Sequence, residues 1–267
     1  MNLKVYKYHG AGNDFLLCDN RDDSFDSLSP DDIRNLCNRH KGIGADGLII
    51  LDRSGKGDFS MRFYNNDASG GVMCGNGGRC VVAFAKDLGI IGSDCSFMSS
   101  DGLHSASVLA SEGNTKTVRL QINPANGYQP LPMGYFLDTG TKHLVVFKDS
   151  IFDMDVVGEG RVLRNMQYFA PTGTNVNFVK ITGDHSIAIR TYEKGVEDET
   201  LACGTGISAA AIALCIREDY PDGKHLIKVR ALEDDLQVEV TRQGDSFPEV
   251  FLTGPAEKVG EITVALH

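Results

Sequence analysis

The chain has 267 residues, a formal net charge of −10 and no run of basic residues, a balance that argues against nucleic acid or an anionic membrane as partner. Its seven cysteines are odd in number and irregularly spaced, which reads as reduced thiols and not as a disulfide framework. The segment Met1 to Phe15 has no leader-like apolar core, and the longest uncharged apolar stretch, Ile207 to Ile216, falls short of the roughly 18 residues of a membrane span. With no Cys-x-x-Cys or His-Glu-x-x-His signature, the expectation is a cytoplasmic protein that takes a small molecule and uses no metal.

Leu3 to Tyr8 and Phe15 to Asp19 read as short strands around the turn His9-Gly10-Ala11-Gly12. Ser29-Pro30-Asp31-Asp32 has the marks of a helix start: a capping serine, proline at the first position and acids in the first turn. Gly42 is its expected end. Strands follow over Leu48 to Leu51, Phe59 to Tyr64, Ser96 to Ser100, Ser105 to Ala110 and Thr117 to Ile122, with an apolar helical stretch, Val81 to Leu88, in their midst. The turn-rich segment 124–130 is the natural midpoint.

Beyond it, strands are predicted over Tyr135 to Asp138, His143 to Phe147, Val176 to Ile181, Ile187 to Tyr192, Ile227 to Ala231, Leu236 to Thr241 and Val250 to Thr253. Helices are predicted within Asp155 to Met166 and over Gly204 to Arg217. The fold class is therefore α+β: two pseudo-symmetric domains, each a mostly antiparallel curled sheet or barrel around a central helix. The expected division is 1–123 and 124–267, with a strand over 261–267 returning to the first domain.

The two halves repeat one another. Cys74-Gly75-Asn76-Gly77 and Cys203-Gly204-Thr205-Gly206 lie 129 residues apart, each just before an apolar, alanine-rich stretch. Gly44 to Ile50 pairs with Gly173 to Val179, and Asn13 to Leu17 with Lys142 to Val146, both at 129; Met61 to Asn65 pairs with Ile189 to Glu193 at 128. Four blocks in one order indicate a duplicated domain. Packed about a pseudo-twofold axis, such halves are expected to present both cysteines to one cleft.

A thiol at the start of a helix stands near the positive end of its dipole, which favours the thiolate. Two such thiols on opposite faces of one carbon, one ionised and one protonated, are able to remove a proton from one side and deliver one from the other. That is two-base racemisation or epimerisation. Backbone N–H groups of Gly75-Asn76 and Gly204-Thr205 suit an α-carboxylate and the charge that builds on it. A lone cysteine beside an apolar helix is ordinarily packing, and Cys18, Cys37, Cys80, Cys95 and Cys215 are read that way.

The sequence resembles the diaminopimelate epimerases over nearly its whole length. The likeness rests on Gly10 to Phe15, on Asn65 followed by Met73 to Cys80, on Thr174 to Phe178 and on Glu199 to Gly206. It implies cofactor-independent interconversion of LL- and meso-2,6-diaminoheptanedioate for lysine and peptidoglycan synthesis, by a homodimer. It makes Cys74 and Cys203 the acid/base pair and His143 and Glu193 the groups that tune them. It puts Asn13, Asn65, Gly75, Asn76, Asn175, Glu193, Lys194, Gly204 and Thr205 on the substrate. Three positions depart from the family pattern: Gly47 stands for a glutamine, Thr141-Lys142 for Asn-Pro before His143, and Lys194 for an arginine, with Glu197-Asp198 in place of a single glycine. Lys194 keeps the charge without the bidentate fork. The alternatives are a racemase of another amino acid, of the histidine or proline type, and, from another class, a dithiol redox sensor or binding module.

Overall fold

The computed structural model describes residues 2–71, 73–125 and 127–265. The chain forms two compact units, one running to Leu120 and resuming at Gly254, the other spanning Gln121–Thr253. The first unit holds strands β1 (Asn2–Gly10), β2 (Asn13–Asp19), β3 (Gly47–Asp52), β4 (Phe59–Asn65), β5 (Asp94–Ser99), β6 (Gly102–Glu112) and β7 (Thr115–Ile122), with helices α1 (Pro30–Cys37) and α2 (Gly75–Asp87). Its strands pair in chain order, and the far end of β16 (Ser246–Ala265) pairs with β7 and with β1, so this sheet closes on itself.

The second unit holds β8 (Gln129–Leu131), β9 (Gly134–Asp138), β10 (Lys142–Phe147), β11 (Asn175–Gly183), β12 (Ser186–Glu193), β13 (Asp198–Thr200), β14 (Gly223–Arg230) and β15 (Asp235–Gln243). Its helices are α3 (Val156–Arg164) and α4 (Gly204–Arg217). The order runs β8-β9-β10-β11-β12-β14-β15 and ends on the first part of β16, with β13 on β12 and an isolated bridge between Ala125 and Phe247. A chain crossing over through a helix returns parallel to its starting strand, so β2–β3, β4–β5, β10–β11 and β12–β14 are parallel and the remaining described pairs antiparallel.

α2 and α4 are buried on every side: Gly75 to Ala85 and Gly204 to Cys215 are all buried. A helix apolar all round is stable only when enclosed, and alanines at 209, 210, 211 and 213 keep α4 slim enough for the strands around it. α1 and α3 cover the other face of the same strands, which accounts for apolar runs where half-buried strands would alternate. Leu16, Leu48 and Ile50 pack with Ile33 and Leu36 of α1, and Leu144, Val146, Val176 and Phe178 with Val156 of α3.

Two sequence expectations are corrected. α1 ends at Asn38, not Gly42; the chain then doubles back, and a Cβ at Gly42 would lie 1.9 Å from the Asn35 carbonyl oxygen. The strands expected at Val250 to Thr253 and from Glu261 onward are one strand, β16, which runs from the second unit into the first. Leu266 and His267 at the end of the expected strand lie outside the described residues.

The centre of the first unit is set by Phe84 of α2, fully buried against the rings of Tyr6 and Tyr8 at 4.9 and 5.8 Å. Phe84→Ala is expected to destabilise the protein by about 3–5 kcal/mol, measured by urea denaturation against the wild type.

Candidate active site

Cys74 is the N-cap of α2 and Cys203 the N-cap of α4, each in extended backbone just before a buried helix. Their surroundings within each unit differ.

In the first unit the β1–β2 hairpin turns through Ala11 and Gly12, both at positive φ (54° and 80°). That is the geometry of a type I′ turn, and it holds buried Ala11 in a conformation L-residues avoid. The turn presents Asn13 to the start of α2. Cys74 Sγ lies 3.8 Å from Asn13 Oδ1, and Asn76 Nδ2 donates to the same oxygen at 3.2 Å. Asn76 Oδ1 in turn accepts from Arg79 Nη2 at 3.0 Å, and Asn13 Nδ2 donates to Asp46 at 2.7 Å. Arg79 is wholly buried; its Nε donates to the Pro255 carbonyl and its Nη1 to the Gly75 carbonyl. Asp46 is held by Arg39, which also pairs with Asp14. Burial pushes the Asp14 carboxyl up, but hydrogen bonds from Arg39 and Lys7 outweigh it and hold the group down at about 2.

In the second unit the corresponding wall is polar. His143 is fully buried, with Nδ1 3.0 Å from Asn177 Nδ2 and Nε2 2.9 Å from Thr141 Oγ1 and 3.0 Å from Thr205 Oγ1. Thr205 Oγ1 lies 3.5 Å from Cys203 Sγ, and Thr139 donates to the Thr205 carbonyl. Asn177 also donates to the Leu144 carbonyl and accepts from Thr191. Burial, with a smaller push from the Lys194 charge, holds the His143 imidazole down at about 3, so it is neutral at working pH.

Other predicted residues brace the neighbouring turns. Asn65, at the end of β4, donates to Ser69 Oγ. Asn175 donates to the Lys142 carbonyl and accepts from the Lys194 backbone, bracing the turn after β12, and Glu193 accepts from Thr200. Asp46, Arg79, Asn177, Thr139 and Thr191 were not singled out from the sequence. The signal was there for Asn177: on a strand, residues two apart share a face, so Asn175 and Asn177 point the same way.

The units are related at 128 along the strands, not at the 129 read for two of the blocks. Strand residues alternate between faces, so an odd shift would exchange inside for outside. Phe15 and Ile49 lie under Gly77, while His143 and Asn177 lie under Gly206. Phe63, packed on Phe15, corresponds to Thr191, and Asn65 to Glu193. The offset becomes 129 at the cysteines because the second half has one more residue between strand and helix. It is absorbed near Glu197, which takes a positive φ of 60° and accepts from Arg164, Tyr192 and the Gly195 N–H.

The other five thiols are packing. Burial pushes Cys37 up to about 11, Cys95 and Cys215 up to about 12, and Cys18 and Cys80 further still.

The family model for diaminopimelate epimerase matches residues 5–126 and 135–259. The chain belongs to the diaminopimelate epimerase family. It is 41% identical over 262 residues to "Diaminopimelate epimerase" of Flavobacterium psychrophilum, covering 98% of this chain and 100% of that one. Among solved structures, a phenazine biosynthesis protein of the PhzF family from Bacillus anthracis matches with a TM-score of 0.78 at 13% identity, covering 100% of both chains. A probable proline racemase from Agrobacterium radiobacter matches at 0.72 and 17%, covering 99% of this chain and 93% of the other. At those identities the two structures establish the α+β fold in two pseudo-symmetric halves and no more.

The positions that depart from the diaminopimelate epimerase pattern now have places. Gly47 stands opposite Asn65 on β4, and a Cβ there would meet the Phe63 ring at 2.5 Å and the Tyr64 carbonyl at 2.6 Å. Phe63 occupies the space a larger residue would need. Thr141 is in direct contact with His143 and Thr205, and the Lys194 side chain is exposed.

Because the folded protein keeps His143 neutral while the unfolded chain protonates near 6.5, the unfolded state binds the extra proton between those values. Its stabilising contribution is complete above about 6.5 and is lost as pH falls toward 3. Wild-type stability is expected to fall by up to about 1.4 kcal/mol per pH unit more steeply than that of His143→Gln in this window, read from urea midpoints at a series of pH values.

Proposed function

We infer that the protein is a diaminopimelate epimerase, an isomerase that interconverts LL- and meso-2,6-diaminoheptanedioate by moving the hydrogen of one α-carbon. The observation that carries this is a cysteine at the N-cap of the buried helix in each half of a chain that belongs to this family. Inversion requires the carbon to lose a proton on one side and gain one on the other. We assign those two transfers to Cys74 and Cys203, tuned by His143 and Glu193.

The hydrogen beside a carboxylate is a weak acid, so the charge that develops must be held. Backbone N–H groups of Gly75, Asn76, Gly204 and Thr205 at the two helix starts are the proposed donors. Each helix dipole supplies about 0.3–1 kcal/mol when exposed and up to roughly 2 when partly buried, so enclosure from water has to supply more. Asn13, Asn65, Asn76, Asn175, Glu193 and Lys194 are assigned to the amino groups and the distal carboxylate. A thiol pair that takes and returns the proton needs no pyridoxal group. Thiol chemistry suits the reducing cytoplasm, and the family likeness is the support for a homodimer.

Incubation of the reduced protein with LL-2,6-diaminoheptanedioate in D₂O is expected to place deuterium at one α-carbon and to yield the meso isomer. Cys74→Ser and Cys203→Ser should each lower kcat by about 10²–10⁴-fold. Full exchange in either variant, or none in the wild type, would remove the assignment.

A further inference from the structure

The donors and acceptors around the two thiols have a direction, and it differs between the units. In the first, the polar chain begins on Arg79, whose guanidinium can only donate, and ends on Asp46, whose carboxylate, paired with Arg39, accepts. Arg79 claims Asn76 Oδ1, so Asn76 turns its N–H toward Asn13; Asp46 claims the Asn13 N–H, so Asn13 turns its oxygen toward Asn76 and Cys74. Reversing Asn13 would set its oxygen against a carboxylate and its amide nitrogen against another. What this chain offers Cys74 Sγ is therefore an acceptor, which suits S–H and opposes S⁻.

In the second unit the chain begins on the Leu144 carbonyl, which only accepts. It fixes the Asn177 nitrogen toward His143 Nδ1, so Nδ1 has no proton and the imidazole hydrogen is on Nε2. That hydrogen points at Thr141 and Thr205, whose hydroxyls are 3.1 Å apart. All three protons are used when Nε2–H donates to Thr141, Thr141 donates to Thr205, and Thr205 donates to Cys203 Sγ at 3.5 Å. What this chain offers Cys203 is a donor. Both thiols share the helix-start dipole, which does not separate them; the side chains behind them differ.

We propose that the two thiols are unequal before substrate arrives: Cys203 is the thiolate and Cys74 the thiol, with Thr141 and Thr205 as positioning residues that relay the hydrogen bond of His143 to Cys203. This rests on the two-thiol epimerase reading. In the first turnover the Cα–H bond breaks and an S–H bond forms at Cys203; the electron pair left on carbon takes the proton of Cys74, which becomes the thiolate. Proton exchange with solvent restores the resting pair. Thr141 is one of the positions where this chain departs from the family pattern, and here the departure adds a hydroxyl to the relay. The charged groups near the two chains include Arg79 on α2, Asp14 on β2, and Asp46 and Arg39 between α1 and β3 in the first unit, and Glu193 at the end of β12, which accepts from Thr200, and Lys194 after it in the second.

The thiolate absorbs at 240 nm, and the five packing cysteines are pushed too high to contribute below about pH 9. Titration of the full chain should show one thiolate equivalent at neutral pH, kept in Cys74→Ser and lost in Cys203→Ser. Thr205→Val should raise the midpoint by about one unit or more, Thr205→Ser should leave it in place, and Thr141→Val should move it in the same direction. In the unmodified protein, iodoacetamide labelling read peptide by peptide should stay independent of pH below 7 at Cys203 and fall with pH at Cys74; this needs no variant to fold. A thiolate signal that follows Cys74, or a midpoint unmoved by Thr205→Val, would overturn the proposal. Deuterium exchange separates the two readings: a Cys203 thiolate without exchange removes the epimerase and keeps the proton placement, whereas exchange with a Cys74 thiolate does the reverse.

Discussion

A helix that is apolar on every side has to be enclosed on every side, and most of this molecule follows from meeting that demand twice. α2 and α4 are buried along nearly their whole length, so each is surrounded by strands, and those strands have their other face covered by a second helix. Such a helix has its unsatisfied N–H groups at one end, and the chain places a cysteine and small residues there. The same enclosure that stabilises the helix leaves its first turn as the place where an anionic group is best received.

Duplication supplied two such helices and then let their linings diverge. Where the first unit puts Phe15 and Ile49 under Gly77, with Phe63 packed on Phe15, the second puts His143 and Asn177 under Gly206, with Thr191 bonded to Asn177. One wall is an aromatic and aliphatic layer, the other a closed hydrogen-bonded chain. A buried polar chain is costly unless every member is satisfied, and this one runs from a backbone carbonyl to a thiol with each amide and hydroxyl engaged. The glycine at 206 is required by the approach: a Cβ there would lie 2.4 Å from Asn177 Oδ1. The two cysteines are thus equivalent in backbone and unlike in the side chains around them.

The departures from the family pattern fall into this picture unevenly. Thr141 is integrated into the polar wall, and Gly47 leaves room for the Phe63 ring. The extra residue near Glu197 is contained in a turn tied to Arg164 and Tyr192. Of these, Thr141 reaches the start of α4, through Thr205.

From the sequence alone came the duplication, the paired cysteine tetrads, the two buried helices and nearly all the strands, because these rest on local signals: apolar runs, glycine turns and a repeat spacing. The parity of the repeat, the single long β16 and the end of α1 were decided in three dimensions, since they depend on which face a strand turns inward and where the chain doubles back. Thr139 and Thr191 carry no sequence mark that separates them from surface polar residues, and the marks on Asn177 and Thr141 do not say what those side chains touch. Only the folded chain brings them into contact, because the partners that orient each amide and each proton come from strands and helices far apart in sequence.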